Sequence, residues 1–310
     1  MNIFLTGASG LVGSAFARAA ARRGHQIVGT VGAHNGKIEG LTGQHTLDLA
    51  QAGSVTSAVL DQFPQAIVNC AAISVPEQCE IDPARAQALN VELPALLARL
   101  AHHVSARLVH LSSEQVFDGT VALPYAADDP VAPINLYGRQ KMESERLVQQ
   151  HAPAFAVTVR PPLLMGNSLT GRRSNHERLF ADWAAGRTPR LFTDEFRQAC
   201  TAENLAEVLV ELCERDNVRG VYHWAGSELL SRYELGRRIR EQFKLSPTQA
   251  PLEAVTRPAV PEVARKRQAC LALNITPLAA QLKTRPQSVA EQLAELNVPV
   301  PCREWYLRQA

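Results

Sequence analysis

Short runs of β-branched and apolar residues alternate with longer segments of helical periodicity through the first half of this 310-residue chain. The alternation predicts parallel strands joined by helices, because the chain must cross a face of the sheet before it can pair again in the same direction. The sequence therefore predicts an α/β protein built on a doubly wound parallel sheet. Six strands are predicted, at 3–6, 26–31, 45–47, 66–70, 107–112 and 155–160.

Segments with helical spacing of apolar residues separate these runs, and the rhythm changes after about residue 161. Predicted helices lie at 11–23, 54–62, 83–102, 136–150, 175–185, from residue 203, from residue 231 and near 288–296, with a strand at 221–224. The segment around 203–224 is expected to return to the sheet. We therefore predict a larger domain at 1–164 and 196–226, and a smaller, interleaved α/β domain at 165–195 and 227–310.

The amino-acid composition limits the kinds of molecule that the protein is expected to bind. Lysine and arginine number 32 against 30 acidic residues, so the net charge of +2 argues against a protein built to neutralise nucleic-acid phosphates. Apolar runs fall short of the length that a membrane helix needs, and no basic leader precedes the first strand. The six cysteines show neither CxxC pairs nor the density of a disulfide scaffold. A cytoplasmic protein without a metal site and with a small-molecule partner is expected.

A glycine-rich segment, TGASGLVG, joins the first predicted strand to the first predicted helix. In this context Gly7 permits a tight turn, Gly10 lets the backbone approach a pyrophosphate, and Gly13 lets the helix pack closely on the strand. The amides of Leu11 and Val12 would then face the anion at the helix N-terminus. A purely structural glycine turn is the alternative, but the position after the first strand favours a dinucleotide site.

Tyr137 and Lys141 lie four residues apart on a predicted helix, so that they share one face. A cation near a phenol lowers its pKa, and the pair therefore suits acid–base chemistry. The spacing taken alone favours an exposed tyrosine beside a solvated lysine. The serine pair Ser112-Ser113 ends a predicted buried strand two dozen residues earlier, and a hydroxyl there can donate to a carbonyl oxygen. Together with the glycine turn, these residues predict reduction of a carbonyl.

Six segments carry a resemblance to the extended short-chain dehydrogenases/reductases, and most of all to the dTDP-4-dehydrorhamnose reductase group. They are TGASGLVG at 6–13, IVNCAA at 67–72, LNVELPALLA at 89–98, HLSSEQVFDG at 110–119, NLYGRQK at 135–141 and RPPLLMG at 160–166. The resemblance implies a Rossmann sheet that binds NAD(P) and a smaller substrate-binding domain. It also implies hydride transfer to the 4-keto group of a nucleotide-linked deoxysugar, in a protein that could be a homodimer.

By this resemblance, Ser113 polarises the carbonyl, Tyr137 donates the proton, and Lys141 lowers the pKa of the tyrosine and holds the nicotinamide ribose. Asn90 would lie close to the site, and both Asn90 and Asp48 are equally suited to structural roles, Asp48 as a helix cap. The implied cofactor-binding residues are Gly7, Gly10, Leu11, Val12, Gly13, Asp48, Leu49, Cys70, Ala71, Ala72, Tyr137, Lys141 and Pro161.

The implied substrate contacts include a departure from the family pattern. Glu114-Gln115 stands where related reductases carry Asp-Tyr, and Gln115 cannot act as the carboxylate base of the related dehydratases. Dehydration is therefore disfavoured. Asn175 and Arg197 are expected to meet a substrate diphosphate, because guanidinium groups suit phosphate oxygens. Three further arginines, at 172, 173 and 190, fit either the diphosphate or a solvated basic face.

The end of the second predicted strand bears on the choice between NAD and NADP. Gly29-Thr30-Val31-Gly32 lacks the acid expected to bind the ribose 2′-hydroxyl of NAD. His34 and Lys37 are close enough in sequence to meet a 2′-phosphate, which favours NADP.

Two other functions remain compatible with the same residues. A nucleotide-sugar C4 epimerase would keep its nicotinamide bound and return the hydride. A cofactor-binding regulatory subunit is the alternative outside enzymes, because the stretch PINLYGRQK at 133–141 also resembles the regulatory β subunit of methionine adenosyltransferase. Such a subunit can retain the serine, tyrosine and lysine.

Overall fold

A computed structural model describes residues 1–121 and 124–309. The predicted domain ranges also include residues 122, 123 and 310, which lie outside this description. The strands are β1 (Asn2–Thr6), β2 (Gln26–Val31), β3 (Gly43–Thr46), β4 (Ala66–Asn69), β5 (Arg107–Leu111), β6 (Ala156–Arg160), β7 (Leu164–Met165), β8 (Arg190–Phe192), β9 (Phe196–Arg197), β10 (Cys200–Thr201), β11 (Gly220–His223), β12 (Leu230–Ser231), β13 (Glu253–Val255) and β14 (Cys270–Leu271).

The helices separate these strands and cover the sheet. They are α1 (Leu11–Arg22), α2 (Ala52–Gln62), α3 (Pro76–Ile81), α4 (Pro83–Gln87), α5 (Leu93–His103), α6 (Leu136–His151), α7 (Asn175–Ala184), α8 (Ala202–Cys213), α9 (Arg232–Gln242), α10 (Pro261–Ala264), α11 (Thr276–Ala279), α12 (Val289–Ala294) and α13 (Arg303–Leu307). Within the described residues, no helix combines the length and the apolar character that crossing a membrane requires.

Seven strands form the central sheet in the order β11-β6-β5-β4-β1-β2-β3, and every neighbouring pair is parallel. The predicted α/β fold with a doubly wound sheet is confirmed. From β1 the chain moves outward to β2 and β3, then returns to the other side of β1 at β4. Because the direction of winding changes between β1 and β4, a crevice opens at their carboxyl ends, where such sheets bind ligands.

Helices cover both faces of this sheet, as its buried strands require. On one face, Phe16 of α1 and Leu209 of α8 are buried in a cluster that also holds Ile3 and Leu5 of β1. On the other face, residues of α2, α5 and α6 surround Phe4. Side chains of β1 therefore alternate between the two layers, which fixes the strand from both sides.

A separate apolar cluster lies outside the sheet. It is built around Phe180 and Trp183 of α7 and Ile239 of α9. By contrast, α8 and β11 lie with the central sheet, although the chain reaches them only after α7. This arrangement agrees with interleaved segments, while the domain boundaries themselves remain a prediction.

The helix predicted at 83–102 is interrupted in the structure. It begins as α4, passes through a π-helical turn at Ala88–Glu92 and continues as α5. Pro94 has no amide hydrogen to donate to the preceding turn, so a regular α-helical ladder cannot run through this point. The third strand also begins two residues earlier than predicted, at Gly43.

Candidate active site

The glycine turn between β1 and α1 is tightly closed. Gly7 has a φ of 71°, in the left-handed region, and accepts a 2.9 Å hydrogen bond from the amide of Gly10. A Cβ atom on Gly13 would lie 2.2 Å from the carbonyl oxygen of Gly7. Side chains at positions 7 and 13 would therefore strain or open the turn, as the sequence predicts for a phosphate-binding loop.

This turn leaves hydrogen-bond donors free at the N-terminus of α1. Gly10, at the N-cap, has no side chain that could accept from them. Among the described residues, the amides of Leu11 and Val12 have no acceptor, whereas the amide of Ser14 already donates to Gly10. Free amides at the positive end of a 12-residue helix fit a pyrophosphate.

The turn after β4 packs directly against the glycine turn. A Cβ on Gly7 would lie 2.9 Å from the backbone of Ala71. Cys70, Ala71 and Ala72 are half-buried and follow Asn69, whose Oδ1 accepts a 3.3 Å hydrogen bond from the Ala71 amide. The structure thus brings these three predicted cofactor residues beside the glycine turn.

Asp48 and Leu49 lie after β3, at the far end of the crevice. The Asp48 carboxylate lies 2.6 Å from Nη2 of Arg85 and accepts from the amide of Ala50. The hydrogen bond from Arg85 lowers the pKa of Asp48. Since α2 begins at Ala52, Asp48 does not cap it. Leu49 packs on the core under α2 and α5, and contact of either residue with adenine remains a prediction.

The two serines after β5 have different surroundings. Ser112 donates to the carboxylate of Glu145, which also binds Arg160 at 2.7 Å. Ser113 accepts a 3.2 Å hydrogen bond from the amide of Gln115, and its hydroxyl is close enough to the phenol of Tyr137 to lower the pKa of that phenol. Ser113 is therefore the serine that meets the predicted proton donor, a distinction that the sequence pattern alone does not make.

The start of α6 brings Tyr137 to this serine. Asn135 caps the helix, with its Oδ1 accepting a 2.8 Å hydrogen bond from the amide of Gly138. A Cβ on Gly138 would lie 2.2 Å from the carbonyl oxygen of Gln115. The sequence pattern gave no signal for this role of Gly138, whose absent side chain lets α6 approach the turn that follows Ser113.

Tyr137 is only 5% exposed, and its surroundings favour the protonated phenol. Burial raises its pKa, whereas the hydrogen bond with Ser113 lowers it. From the sequence, Lys141 is expected to be the group that lowers the pKa of Tyr137. Among the described residues the lowering effect comes from Ser113, and burial outweighs it, so the net direction is upward; an effect of Lys141 on the phenolate formed during reaction remains a prediction.

Lys141 lies four residues after Tyr137 in α6, and its side chain reaches the end of β5. Its Nζ donates a 2.7 Å hydrogen bond to the carbonyl oxygen of Leu111. Burial lowers its pKa to about 8, although the charge of Glu145 opposes this change. Lys141 therefore stays mostly protonated near neutral pH and holds its ammonium group at the crevice end of the strand.

Pro161 and Asn90 shape the surroundings of these residues. The carbonyl oxygen of Pro161 accepts a 3.0 Å hydrogen bond from the amide of Glu114, which ties the end of β6 to the turn after Ser113. Asn90, in the π-helical turn, binds both backbone groups of Ile73 and donates to Gln140. Its side chain therefore ties the segment after β4 to α6.

Glu114 lies at the opposite wall of the candidate site. It is 4% exposed, and its Oε1 lies 3.2 Å from Nε of Arg197. Its Oε2 is buried without a hydrogen-bond partner among the described residues. Burial raises the pKa of Glu114 to about 7, although the charges of Arg197 and Arg232 lower it.

Arg197 belongs to a larger group of charges that we call the arginine cluster. Its members are Glu114, Glu195, Arg197, Arg232 and Arg267. Glu195 lies 2.7 Å from Arg267, 3.4 Å from Arg197 and 3.8 Å from Arg232. Burial raises the pKa of Glu195, but the arginines more than reverse this effect and leave the pKa below its ordinary value.

A small sheet assembles this cluster from distant parts of the chain. β9 pairs with β12 on one side and with β14 on the other. Arg232 follows β12 and Arg267 precedes β14, so both reach Glu195, which precedes β9. Arg232 also donates a 2.7 Å hydrogen bond to Oδ1 of Asn175. The three predicted substrate residues are therefore connected through residues that the sequence analysis missed.

The other predicted cationic residues lie apart from the cluster. Arg190 pairs with Glu253 at 3.3 Å, and both side chains are about half exposed. Arg172 and Arg173 are exposed near the start of α7. After β2, His34 is half-buried and Lys37 is exposed. Exposure of Lys37 leaves its ammonium group accessible to a ligand beside the end of β2.

Comparison with known proteins gives concordant results. A family described as "RmlD substrate binding domain" matches residues 1–299. Methionine adenosyltransferase 2 subunit beta from Xenopus tropicalis is 31% identical over 271 residues, which cover 84% of this chain and 79% of that protein. A probable dTDP-4,6-dihydroxy-2-methyloxan-3-one 4-ketoreductase from Streptomyces antibioticus is 30% identical over 240 residues, covering 77% and 76%.

Solved structures show the same architecture. A hypothetical dTDP-4-dehydrorhamnose reductase from Sulfolobus tokodaii is 26% identical to this chain and superposes with a TM-score of 0.79. The match covers 94% of this chain and 98% of the other.

Proposed function

The chain belongs to the family described by the RmlD substrate binding domain, and on this premise we propose that it reduces the 4-keto group of a nucleotide-linked deoxysugar. The membership supports the predicted class, an NAD(P)-dependent oxidoreductase of the short-chain type. The proposal is carried by two observations at the end of β5: Ser113 lies beside Tyr137, and the ammonium group of Lys141 donates to the carbonyl oxygen of Leu111. These groups lie at the crevice edge that also contains the glycine turn.

The side chains suit delivery of a proton to the carbonyl oxygen. When bound, NAD(P)H supplies the hydride for the carbonyl carbon. The hydroxyl of Ser113 donates to the carbonyl oxygen and polarises it. Tyr137 gives that oxygen its phenolic proton and becomes a phenolate, so that one hydride and one proton produce the alcohol. The raised pKa of Tyr137 keeps this proton in place before reaction.

Lys141 stabilises the phenolate left by proton transfer. Its ammonium group is fixed by the carbonyl oxygen of Leu111 and does not need to be reorganised during the reaction. A fixed cation stabilises negative charge more strongly in a buried site than in water. The same ammonium is suited to hold a ribose hydroxyl of the cofactor.

The proposed cofactor contacts are made by the free amides at the start of α1 and by the glycine turn, whose glycines have no side chains to obstruct the cofactor. Leu11 and Val12 offer their amides to the pyrophosphate, and the glycines allow its approach. Asp48, Leu49, the turn from Cys70 to Ala72, and Pro161 complete the proposed contacts. Preference for NADP is supported by the exposed Lys37 and the half-buried His34 after β2.

The arginine cluster suits the polar part of the substrate. Asn175 and Arg197 are proposed to bind the nucleotide diphosphate, since the cluster holds one more positive than negative charge when both glutamates are ionised. The free Oε2 of Glu114 is proposed to accept a hydrogen bond from a sugar hydroxyl. A buried carboxylate oxygen gains stabilisation from such a donor.

The test is oxidation of NADPH and NADH in the presence of dTDP-4-keto-deoxysugars. Tyr137→Phe should lower kcat by roughly 10²- to 10⁴-fold, because the acid is removed, while NADPH binding is retained. Equal rates for the parent and the variant would contradict the role of Tyr137. A cofactor that co-purifies with the chain and is not consumed would instead indicate the epimerase.

A regulatory subunit is the second candidate function. It is favoured by the 31% identity to methionine adenosyltransferase 2 subunit beta. This candidate requires cofactor binding but no turnover. A stoichiometric protein partner in a pull-down, combined with no NADPH oxidation across the keto-sugar panel, would support it over the reductase.

A further inference from the structure

A fully buried histidine lies beneath the candidate site and has no part in the proton delivery described above. His110 is in β5, three residues before Ser113. Its Nδ1 lies 3.1 Å from Nδ2 of Asn69 in β4, and its Nε2 lies 3.1 Å from Oγ of Ser144 in α6. The ring therefore joins two strands of the sheet to the helix that carries Tyr137 and Lys141.

The hydrogen bonds have a single consistent direction. The amide nitrogen of Asn69 can only donate, so Nδ1 of His110 accepts. Burial lowers the pKa of His110 well below its ordinary value, and the neutral ring then carries its hydrogen on Nε2. Nε2 donates to Ser144, which in turn donates a 2.8 Å hydrogen bond to the carbonyl oxygen of Lys141.

The other end of this chain of hydrogen bonds reaches the glycine turn. Oδ1 of Asn69 accepts a 2.6 Å hydrogen bond from Oγ1 of Thr6, the residue before Gly7. Thr6, Asn69, His110 and Ser144 are all essentially inaccessible to solvent. One continuous buried chain of hydrogen bonds therefore runs from the cofactor turn, through β4 and β5, to Lys141.

We propose that His110 is a positioning residue that fixes Lys141 relative to the glycine turn. Leu111, the next residue in β5, already holds the ammonium group of Lys141 through its carbonyl oxygen. Two adjacent residues of β5 therefore contact α6 near Lys141. Leu111 binds the side chain of Lys141, and His110 is connected through Ser144 to the backbone carbonyl of Lys141. Apolar side chains could fill the same space, but hydrogen bonds have fixed lengths and directions. Connected hydrogen bonds therefore set one distance between the glycine turn and α6.

A double-mutant cycle between the two ends tests this coupling. Thr6→Val and Ser144→Ala each remove one hydroxyl, and their side chains do not contact each other. Each should lower kcat/KM by roughly three- to tenfold. If the four hydrogen-bonded side chains act as a unit, the double variant loses little more kcat/KM than either single variant. The two substitutions are then coupled by about threefold or more.

The histidine itself is tested by two replacements with opposite expectations. His110→Leu removes both hydrogen bonds and should abolish the coupling between positions 6 and 144. His110→Gln can still accept with its oxygen and donate with its nitrogen, and should retain the coupling. Val109→Ala, a change at the adjacent fully buried position, is the matched control for a loss of packing.

The pH profile of kcat separates positioning from stability. If Lys141 moves away from Tyr137, the phenolate loses a stabilising cation and the pKa of the phenol in the complex rises. The basic limb that reports ionisation of the phenol should therefore move to higher pH in His110→Leu. It should stay in place in His110→Gln and in Val109→Ala.

The proposal rests on the proposed function only for the measurements of turnover. The same cycle is therefore repeated with the dissociation constant for NADPH, which needs no turnover. If positions 6 and 144 are coupled in NADPH binding but no keto-sugar is reduced, the positioning role of His110 is supported and the proposed reductase function is contradicted. Additive effects in both measurements, or a pH shift in Val109→Ala equal to that in His110→Leu, would overturn the positioning role. Failure of the parent chain to bind NADPH would overturn both.

Discussion

The two walls of the candidate site are held together by different interactions. The cofactor wall, which comprises the glycine turn and the turn after β4, depends on missing side chains and on hydrogen bonds between neutral groups. The substrate wall, which is the arginine cluster, depends on ion pairs, of which those of Arg197 with Glu114 and Glu195 are buried. The cofactor wall should therefore respond to added volume, whereas the substrate wall should respond to changes in charge and pH.

The largest expected effect on this comparison comes from removing the central charge of the cluster. Glu195→Gln would leave the buried Arg197, the mostly buried Arg232 and the partly exposed Arg267 without their shared carboxylate. Breaking buried pairs in this way should cost about 3–5 kcal/mol of the free energy of unfolding, measured in urea. Glu253→Gln, at an exposed pair, is the matched control. Equal losses in the two variants would contradict the contrast between buried and surface charge.

The second effect concerns Glu114, whose pKa of about 7 lies above that of an unfolded glutamate. The folded state then binds more protons than the unfolded state between about pH 4.5 and 7, so this carboxyl makes stability fall as pH rises through that window. Relative to Glu114→Gln, the parent should lose on the order of 3 kcal/mol across the window. Urea unfolding at several pH values measures the difference. A constant difference would show that folding does not raise the pKa of Glu114.

A change of volume probes the cofactor wall with an effect of intermediate size. Gly13→Ala places a methyl group against the carbonyl oxygen of Gly7, and overpacking of this kind costs about 1–3 kcal/mol. We expect NADPH binding to weaken correspondingly, as measured by fluorescence titration. Gly53→Ala in α2, where a Cβ meets open space, is the matched control and should stabilise the chain slightly. Unchanged NADPH affinity in Gly13→Ala would show that the turn does not hold the cofactor.

The same contrast explains how much the sequence could predict. The central sheet and the glycine turn follow from patterns within short segments, and the Tyr137–Lys141 pair follows from spacing on one helix. Glu195, Arg232 and Arg267 are separated by long stretches of chain and meet only because β12 and β14 pair with β9. Local patterns carry no information about that pairing.

Burial is the other quantity that the sequence did not supply. The expected lowering of the Tyr137 pKa followed from the nearby lysine, but the phenol is almost completely buried and its pKa is raised. Similarly, spacing alone does not separate Ser112 from Ser113; the family resemblance selects Ser113, and the structure adds the physical difference that Ser112 donates to the buried Glu145. Electrostatic predictions therefore needed the tertiary structure even where the residue types were correctly chosen.

The smallest expected effect, that of a substitution at Arg190, tests which residues belong to the substrate wall. Arg190→Ala removes an exposed pair with Glu253, and exposed pairs contribute at most about 1 kcal/mol to stability. Because Arg190 lies outside the arginine cluster, KM for a nucleotide sugar should stay within roughly twofold of the parent value. Arg197→Lys, which keeps the charge but loses the guanidinium geometry, should raise KM by roughly tenfold or more. If Arg190→Ala raised KM as much as Arg197→Lys, the diphosphate would be bound by this exposed surface rather than by the buried cluster.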